Sequence, residues 1–279
     1  MTGAGDETAL NLPAELRRAV ASLGGPAAAG AVTTSDLSID EELNLHSLGW
    51  EPLELVSGYS VFSVAPGYWS WGQGEIASAS AAHDGAFRHA IARMHRDAAA
   101  VGAHGVVGVH VERVVASSHV EISLLGTAVR PVGTRAIPAD QVFVSDLSAR
   151  DFTLLRTAGW EPLGLAVGAS FVFAPRRRVG TVLQQQSQNV ELTNFTEAIY
   201  AARESAMERM QKSALALKGT GVVDVKVVEG PMSFASHAVG FAAWGTVVRM
   251  VGDAHQLIHP RAVVSLNDLD VAFDARKLE

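Results

Sequence analysis

Two histidines and two glutamates form the strongest candidate site for chemistry in this sequence. His110 and Glu112 alternate with aliphatic residues in one stretch, and His119 and Glu121 do so in the next, a pattern typical of two β-strands. If His110 lies opposite Glu121 and Glu112 lies opposite His119, all four side chains project from one sheet face. Imidazole and carboxylate groups together suit a divalent transition metal such as zinc, nickel or copper.

The same four residues also fit a solvated polar face of an antiparallel sheet, where opposite charges commonly alternate across strands. The second half of the chain has Lys226 and Val228 at the positions that correspond to His110 and Glu112. The cluster is therefore not repeated, and both interpretations stay open.

Other residues of chemical interest give weaker patterns. His83, His89 and His95 recur every six residues, a spacing that cannot place them on one face of a helix, so we interpret them as scattered exposed side chains. The segment 72–77 contains the glycine spacing of a dinucleotide-binding loop. It lacks the preceding buried strand and the acidic residue that such a loop requires, so no cofactor is predicted.

Three large aromatic residues occur within four positions of a glycine-rich segment: Tyr68, Trp69 and Trp71. Such a cluster indicates an interface or a ligand lid, and it equally fits a loop folded back over its own core. No nucleophile motif, metalloprotease motif or phosphate-binding loop is present, and the chain has no cysteine. We therefore expect a protein that is not an enzyme.

A series of similar segments along the chain predicts an internal repeat. The matching segments, with the first copy given before the second, are Ser35–Ser38 and Ser145–Ser148, Gly49–Leu53 and Gly159–Leu163, Arg93–Met94 and Arg209–Met210, Gly105–Val107 and Gly221–Val223, and Gly126–Thr127 and Gly245–Thr246. These matches are collinear, which predicts a tandem duplication with insertions in the second copy.

Each copy predicts the same order of elements. A short capped helix and a Gly-Trp-Glu-Pro turn precede an apolar strand, which is followed by a long amphipathic helix and two alternating strands. Gly102 and Gly219 are predicted to end the long helices in the left-handed conformation. The predicted fold is α+β, with two tandem β-α-β-β repeats.

The predicted organisation has four parts. Residues 1–34 form an N-terminal helix with a flexible linker, residues 35–140 and 141–262 form the two repeats, and residues 263–279 form a C-terminal tail.

The first copy resembles the YbjQ-like family, a family associated with heavy-metal binding. The similarity lies in the segments Asp97–Ala103, Gly105–Val109 and Ile122–Val129. The second copy keeps Gly221–Val223 but has Asp224 in place of the second glycine. The resemblance covers roughly residues 35–134 and 145–252, and it implies a dodecin-like fold that assembles into rings, typically homopentamers.

Composition narrows the class of protein further. The 279 residues are 48% apolar and 18% charged with a net charge of −7, which disfavours a disordered or nucleic-acid-binding protein. No apolar run reaches the roughly 20 residues of a membrane span, and no signal peptide is recognisable, so we expect a cytoplasmic protein. The excess of 18 arginines over 4 lysines suggests a GC-rich bacterial genome.

A single β-α-β-β unit leaves strand edges and one sheet face uncovered, which pairing between copies and then between chains would cover. We therefore expect a homo-oligomeric, ring-forming scaffold, with a pentamer as the best single expectation. The alternative is an oligomer that binds or senses a metal ion or small ligand. The N-terminal helix, through Leu12 and Leu16, is a candidate docking element for a protein partner.

Overall fold

The computed structural model describes residues 33–65, 74–175, 189–232 and 235–252. The first half of the chain contains, in order, helix α1 (Ile39–Ser47), strand β1 (Trp50–Ser63), the short strand β2 (Gly74–Glu75), helix α2 (Ala77–Ala100), strand β3 (Gly105–Val115) and strand β4 (His119–Pro131). The N-terminal helix, the aromatic cluster Tyr68, Trp69 and Trp71, and the C-terminal tail lie outside the described residues.

The second half has the same order of helices and long strands, but its short strand comes before the short helix. After a 3₁₀ turn (Ala139–Gln141) come the short strand β5 (Phe143–Val144), helix α3 (Ala149–Thr157), strand β6 (Trp160–Phe173), helix α4 (Thr193–Ala216), strand β7 (Gly221–Met232) and strand β8 (Ala235–Met250). The predicted α+β class, with a short helix before each β-α-β-β series, is confirmed.

Serine caps begin the two short helices, as the sequence predicts. Ser38 forms a capping box with Glu41, in which each residue bonds the backbone of the other. Ser148 accepts a hydrogen bond from the backbone N–H of Asp151 at the start of α3.

The ends of the long helices agree with prediction in only one copy. Gly102 follows α2 with a φ of 78°, but after α4 the left-handed position is taken by Lys218, with a φ of 60°, rather than by Gly219.

The strands form two four-stranded sheets that exchange short strands. Sheet 1 has the order β1-β4-β3-β5, and sheet 2 has the order β2-β6-β8-β7. Strand β2 comes from the first half of the chain but pairs with β6, whereas β5 comes from the second half and pairs in parallel with β3. Each half therefore contributes a strand to the sheet of the other.

The long helices pack on their sheets through matched stripes of small side chains. The buried residues of the stripes are Ala82, Ala86, Ala90, Met94 and Ala98 in α2, and Ala198, Ala202, Ala206, Met210 and Ala214 in α4. Small side chains permit a close approach, and a glycine faces each stripe. A Cβ atom added to Gly58 would lie 2.1 Å from the carbonyl oxygen of Ala90, and one added to Gly168 would lie 2.0 Å from that of Ala206.

The elements stack in the order sheet 1, α2, sheet 2, α4. Helix α2 packs on sheet 1 and also on sheet 2, where His83 and Phe87 contact Phe171 and Trp244 at ring separations of 5.8 and 6.2 Å. Helix α4 covers the opposite face of sheet 2. The face of sheet 1 that points away from α2 is here called the outer face. Around Val107 and Val129 it is covered by α1 and α3, through Leu45 and Phe152. In the described part of the chain, the rest of the outer face has no covering layer, and neither has the outer side of α4.

Candidate functional site

The four candidate metal ligands lie on the outer face of sheet 1, but not in the predicted register. His110 is opposite Leu125, Glu112 is opposite Ser123, and Glu121 is opposite Val114. The predicted pairing of His110 with Glu121 and of Glu112 with His119 is therefore wrong. The turn decides the register, because the hairpin closes where the N–H of Ala116 donates to the carbonyl of His119 at 2.9 Å.

This register separates the site into two pairs. Nε2 of His119 lies 3.0 Å from Oε1 of Glu121, whose other oxygen accepts a hydrogen bond from the Tyr59 hydroxyl at 3.2 Å. Nε2 of His110 lies 3.9 Å from Oε1 of Glu112, and both side chains are largely exposed. Among the residues that the structure describes, no three histidine or acidic side chains are grouped closely enough to hold a metal ion.

Apolar side chains surround these polar pairs on the outer face. Tyr59, Val61, Val114 and Leu125 are all exposed, and Leu125 keeps 40% of its surface accessible. A cluster of exposed apolar residues bordered by polar ones is typical of a protein interaction surface. The outer face therefore has the composition of an interface as well as a few potential ligands.

The corresponding face of sheet 2 is covered by α2. Trp244 pairs with Lys226 and Val167, as Leu125 pairs with His110 and Ser57, so Trp244 and Leu125 hold the same position in their sheets. Trp244 is buried against α2, whereas Leu125 faces solvent. The two sheets thus have equivalent faces, and among the described residues only that of sheet 2 has a helix over this position.

Helix α4 has the complementary free surface. Aligning the small-residue stripes places Arg203 and Met207 of α4 at the positions of Phe87 and Ile91, through which α2 packs on sheet 2. Arg203 and the nearby Tyr200 are exposed, and Met207 is half-buried. The surface of α4 that corresponds to the sheet-covering side of α2 has no partner in the described residues.

A charged cluster connects the two halves of the chain. The guanidinium of Arg209 donates to both carboxylate oxygens of Glu75, at 2.5 and 2.8 Å, and Ser80 and Ser170 also donate to Glu75. Burial alone would raise the pKa of Glu75, but the hydrogen bonds from Arg209 and Ser80 hold it below its usual value. Glu75 belongs to the segment with the dinucleotide-like glycine spacing, and in the structure it acts as a tie between halves.

The tie borders a cleft of about 570 Å³ between α2 and β6, which is also lined by Asp84, Arg88 and Lys212.

Two of the three evenly spaced histidines differ from the prediction that they are exposed, since His95 is half-buried and His83 is buried. His89 is exposed, but His83 is completely buried, and neither of its ring nitrogens has a hydrogen-bond partner in the described part of the chain. Burial, assisted by the nearby charge of Arg113, lowers the pKa of His83 to about 3. The spacing of the histidines along the helix could not predict the burial of His83, because residues of sheet 2 bury it.

Comparisons with known proteins identify relatives of this chain. A family profile described as "Putative heavy-metal-binding" matches residues 70–131, a range that contains all four candidate ligands. Over this range the match confirms the YbjQ-like resemblance found in the sequence. No solved structure matches the chain.

A curated relative identifies the family more closely. Over 243 residues the chain is 34% identical to the "Encapsulin nanocompartment protein Rv1762c" of Mycobacterium tuberculosis. The aligned region covers 84% of this chain and 92% of the relative. The chain belongs to the same family as this mycobacterial protein. No helix among the described residues is long and apolar enough to cross a membrane.

Proposed function

We propose that this protein is a non-enzymatic scaffold whose subunits join head to tail into a closed ring, with a pentamer as the best single expectation. The observation that carries the proposal is the incomplete layering of the subunit. Helix α2 has a sheet on both sides, whereas sheet 1 and α4 each have an uncovered surface. Different surfaces that complement each other generate rings when the rotation closes.

The covered layer inside the chain supports this arrangement. Placing α4 of one subunit on the outer face of sheet 1 in the next would repeat the packing of α2 on sheet 2. Leu125 and Val61 would then be buried as Trp244 and Phe171 are. The name of the mycobacterial relative, a nanocompartment protein, also supports self-assembly.

Mass photometry and sedimentation velocity test the proposal. We expect a discrete species at a multiple of the 29.4 kDa subunit mass. Leu125→Glu should shift it toward single subunits, because a buried unpaired carboxylate opposes the contact. Leu154→Glu is the matched control, since Leu154 is an exposed leucine on α3 and is not one of the strand residues of the outer face, so it should leave the mass unchanged. A wild-type protein that is monomeric at micromolar concentration would contradict the proposal.

We propose metal binding as a second candidate function, favoured by the short contact between His119 and Glu121. A divalent transition metal would take these two residues, and the remaining coordination positions would be filled by water or by another subunit. His110 and Glu112 are too far along the sheet to complete the same site in this register.

Calorimetric titration with Zn²⁺ distinguishes the pairs. We expect His119→Ala to weaken binding by about tenfold or more, equivalent to about 1.4 kcal/mol, and His110→Ala to leave it unchanged. Equal losses would indicate a single four-residue site, and the absence of any binding to the wild type would exclude the metal function.

We further propose that residues 35–140 and 141–262 are two YbjQ-like domains that arose by tandem duplication, and that the protein is cytoplasmic. The shared order of elements and the matched alanine stripes support the duplication. A partner-binding role for the N-terminal helix stays a prediction.

A further inference from the structure

In sheet 1, the edge of β3 that faces away from β4 pairs with the chain segment that leads into the second half. Ser145 donates its N–H to the carbonyl of Val106 at 2.9 Å and accepts from the N–H of Val109 at 3.1 Å. Gly108, with a φ of 65°, forms a bulge and donates its N–H to the carbonyl of Leu147 at 2.7 Å. The segment Phe143–Leu147 thus acts as the edge strand of sheet 1.

Strand β7 is the counterpart of β3 in sheet 2, and its outer edge pairs with no strand among the described residues. Val223 lies opposite Thr246 as Val107 lies opposite Thr127, and Asp224 has a φ of 53° where Gly108 forms its bulge. Among the described residues, β8 is the only strand that pairs with β7. The exposed fractions of Val225, Val227 and Val228 are 40, 48 and 41%. An exposed apolar edge strand is a ready template for another strand.

The segment Thr33–Leu37 is the counterpart of Phe143–Leu147, and it is held in the same way. The N–H of Asp36 donates to Oγ1 of Thr127 at 3.2 Å, and the N–H of Asp146 donates to Oγ1 of Thr246 at 3.1 Å. In both places the threonine hydroxyl donates to the aspartate carboxylate. Each segment is therefore anchored to the last strand of its own half, β4 or β8.

The two segments differ in what lies beside them. Ser145 and Asp146 are buried against β3, whereas Ser35 and Asp36 are exposed, and no strand in the described part of the chain pairs with Thr33–Leu37. Among the described residues, Thr33–Leu37 is thus an extended segment that pairs with no sheet edge, and β7 has an edge that pairs with no further strand.

We infer that Thr33–Leu37 of one subunit adds as a parallel strand to the free edge of β7 in a second copy of the chain. The register follows from the internal contact, in which Phe143 pairs with Gly105 and Val144 with Val106. Thr33 then pairs with Gly221 and Thr34 with Val222. Ser35 donates to the carbonyl of Val222, and Asp224 donates to the carbonyl of Leu37.

Strand addition and helix packing join the same two subunits in the same direction. Within the chain, the first half covers sheet 2 with α2 and receives Phe143–Leu147 on its β3 edge. Between subunits, the one that lays α4 on the neighbour's sheet 1 would receive that neighbour's Thr33–Leu37 on β7. The intermolecular contact thus continues the internal one. This inference rests on the proposed self-assembly and specifies its contact.

Cysteine cross-linking tests the register, since the chain contains no native cysteine. The double variant Thr34→Cys/Val222→Cys should give a ladder of covalent multimers under mild oxidation on a non-reducing gel. A mixture of the two single variants should give dimers and nothing larger. Val106→Cys/Val144→Cys is the matched control, because its partners belong to one chain and should link within a single subunit.

A second pair tests specificity. Thr34→Cys/Val228→Cys places the cysteines several residues out of register, beyond the roughly 7 Å over which a disulfide can form, and should not cross-link.

The outcomes separate this inference from the proposed function. If mass photometry shows an assembly but the Thr34–Val222 pair does not cross-link, or the Val228 pair cross-links equally well, strand addition is wrong and self-assembly stands. If the protein is monomeric by mass photometry, both are wrong.

Discussion

His83 is a buried histidine whose ring has no hydrogen-bond partner among the described residues. His83 lies between Phe87 and Phe171, at ring separations of 5.0 and 5.8 Å, where α2 meets sheet 2. Desolvation favours its neutral form, and the charge of Arg113 acts in the same direction. At this position the imidazole fills space like an aromatic ring and is neutral near pH 7.

This burial predicts a pH-dependent stability. The pKa of His83 is about 3 in the folded chain and 6.5 when unperturbed, so the unfolded chain binds the additional proton between these values. The contribution is complete above pH 6.5 and is lost as the pH falls toward 3, with a slope of up to about 1.4 kcal/mol per pH unit. Urea unfolding from pH 4.5 to 7 should show a shallower dependence for His83→Leu.

His89→Leu is the control for this series, because His89 is on the same helix and exposed. Glu75 also loses stabilising interactions in acid, but it is unchanged in both variants and does not affect their difference. Parallel pH profiles for His83→Leu and the wild type would contradict the assigned burial.

At the scale of elements, the distance between each long helix and its sheet depends on residues without bulk. Alanine stripes on α2 and α4 face Gly58 and Gly168, and the nearest atoms are helix backbone carbonyls rather than movable side-chain ends. A backbone contact cannot be relieved by changing a rotamer, so added volume must displace the whole helix.

Gly58→Ala and Gly168→Ala should therefore each reduce the free energy of unfolding by about 1–3 kcal/mol, the usual cost of overpacking. Chemical denaturation monitored by circular dichroism would measure the loss. Ser57→Ala is the control, since its side chain is on the opposite face of β1 and should change stability little. A wild-type midpoint for both glycine variants would show that the helices do not approach the sheets this closely.

At the scale of the whole molecule, the stacking order makes the subunit incomplete. The exchanged strands β2 and β5 and the tie between Glu75 and Arg209 hold the halves together, so the stack is fixed inside the chain. Its two ends carry the outer face of sheet 1 and the free side of α4. Leu125→Glu is expected to dissociate the assembly without unfolding the subunit, because Leu125 is exposed in the single chain and would be buried only by another subunit.

Local sequence patterns were sufficient for the order of elements and for their caps. Period-2 and period-3.6 alternation placed the strands and long helices, and Ser38 and Ser148 marked the short helices, because these signals arise from neighbours along the chain. The YbjQ-like resemblance is also confirmed, whereas the tandem duplication stays a prediction. All four candidate ligands were identified as strand residues, but their partners across the hairpin were not.

The remaining features depend on contacts between segments that are distant in the sequence. The register of His110 and Glu121 depends on how the turn closes, and the burial of His83 depends on sheet 2, which is formed mainly by residues far along the chain. The exchange of β2 and β5 and the uncovered outer face depend on how the two halves stack. Such features are set by contacts between residues far apart in the chain, for which a local alternation of apolar and polar side chains carries no information.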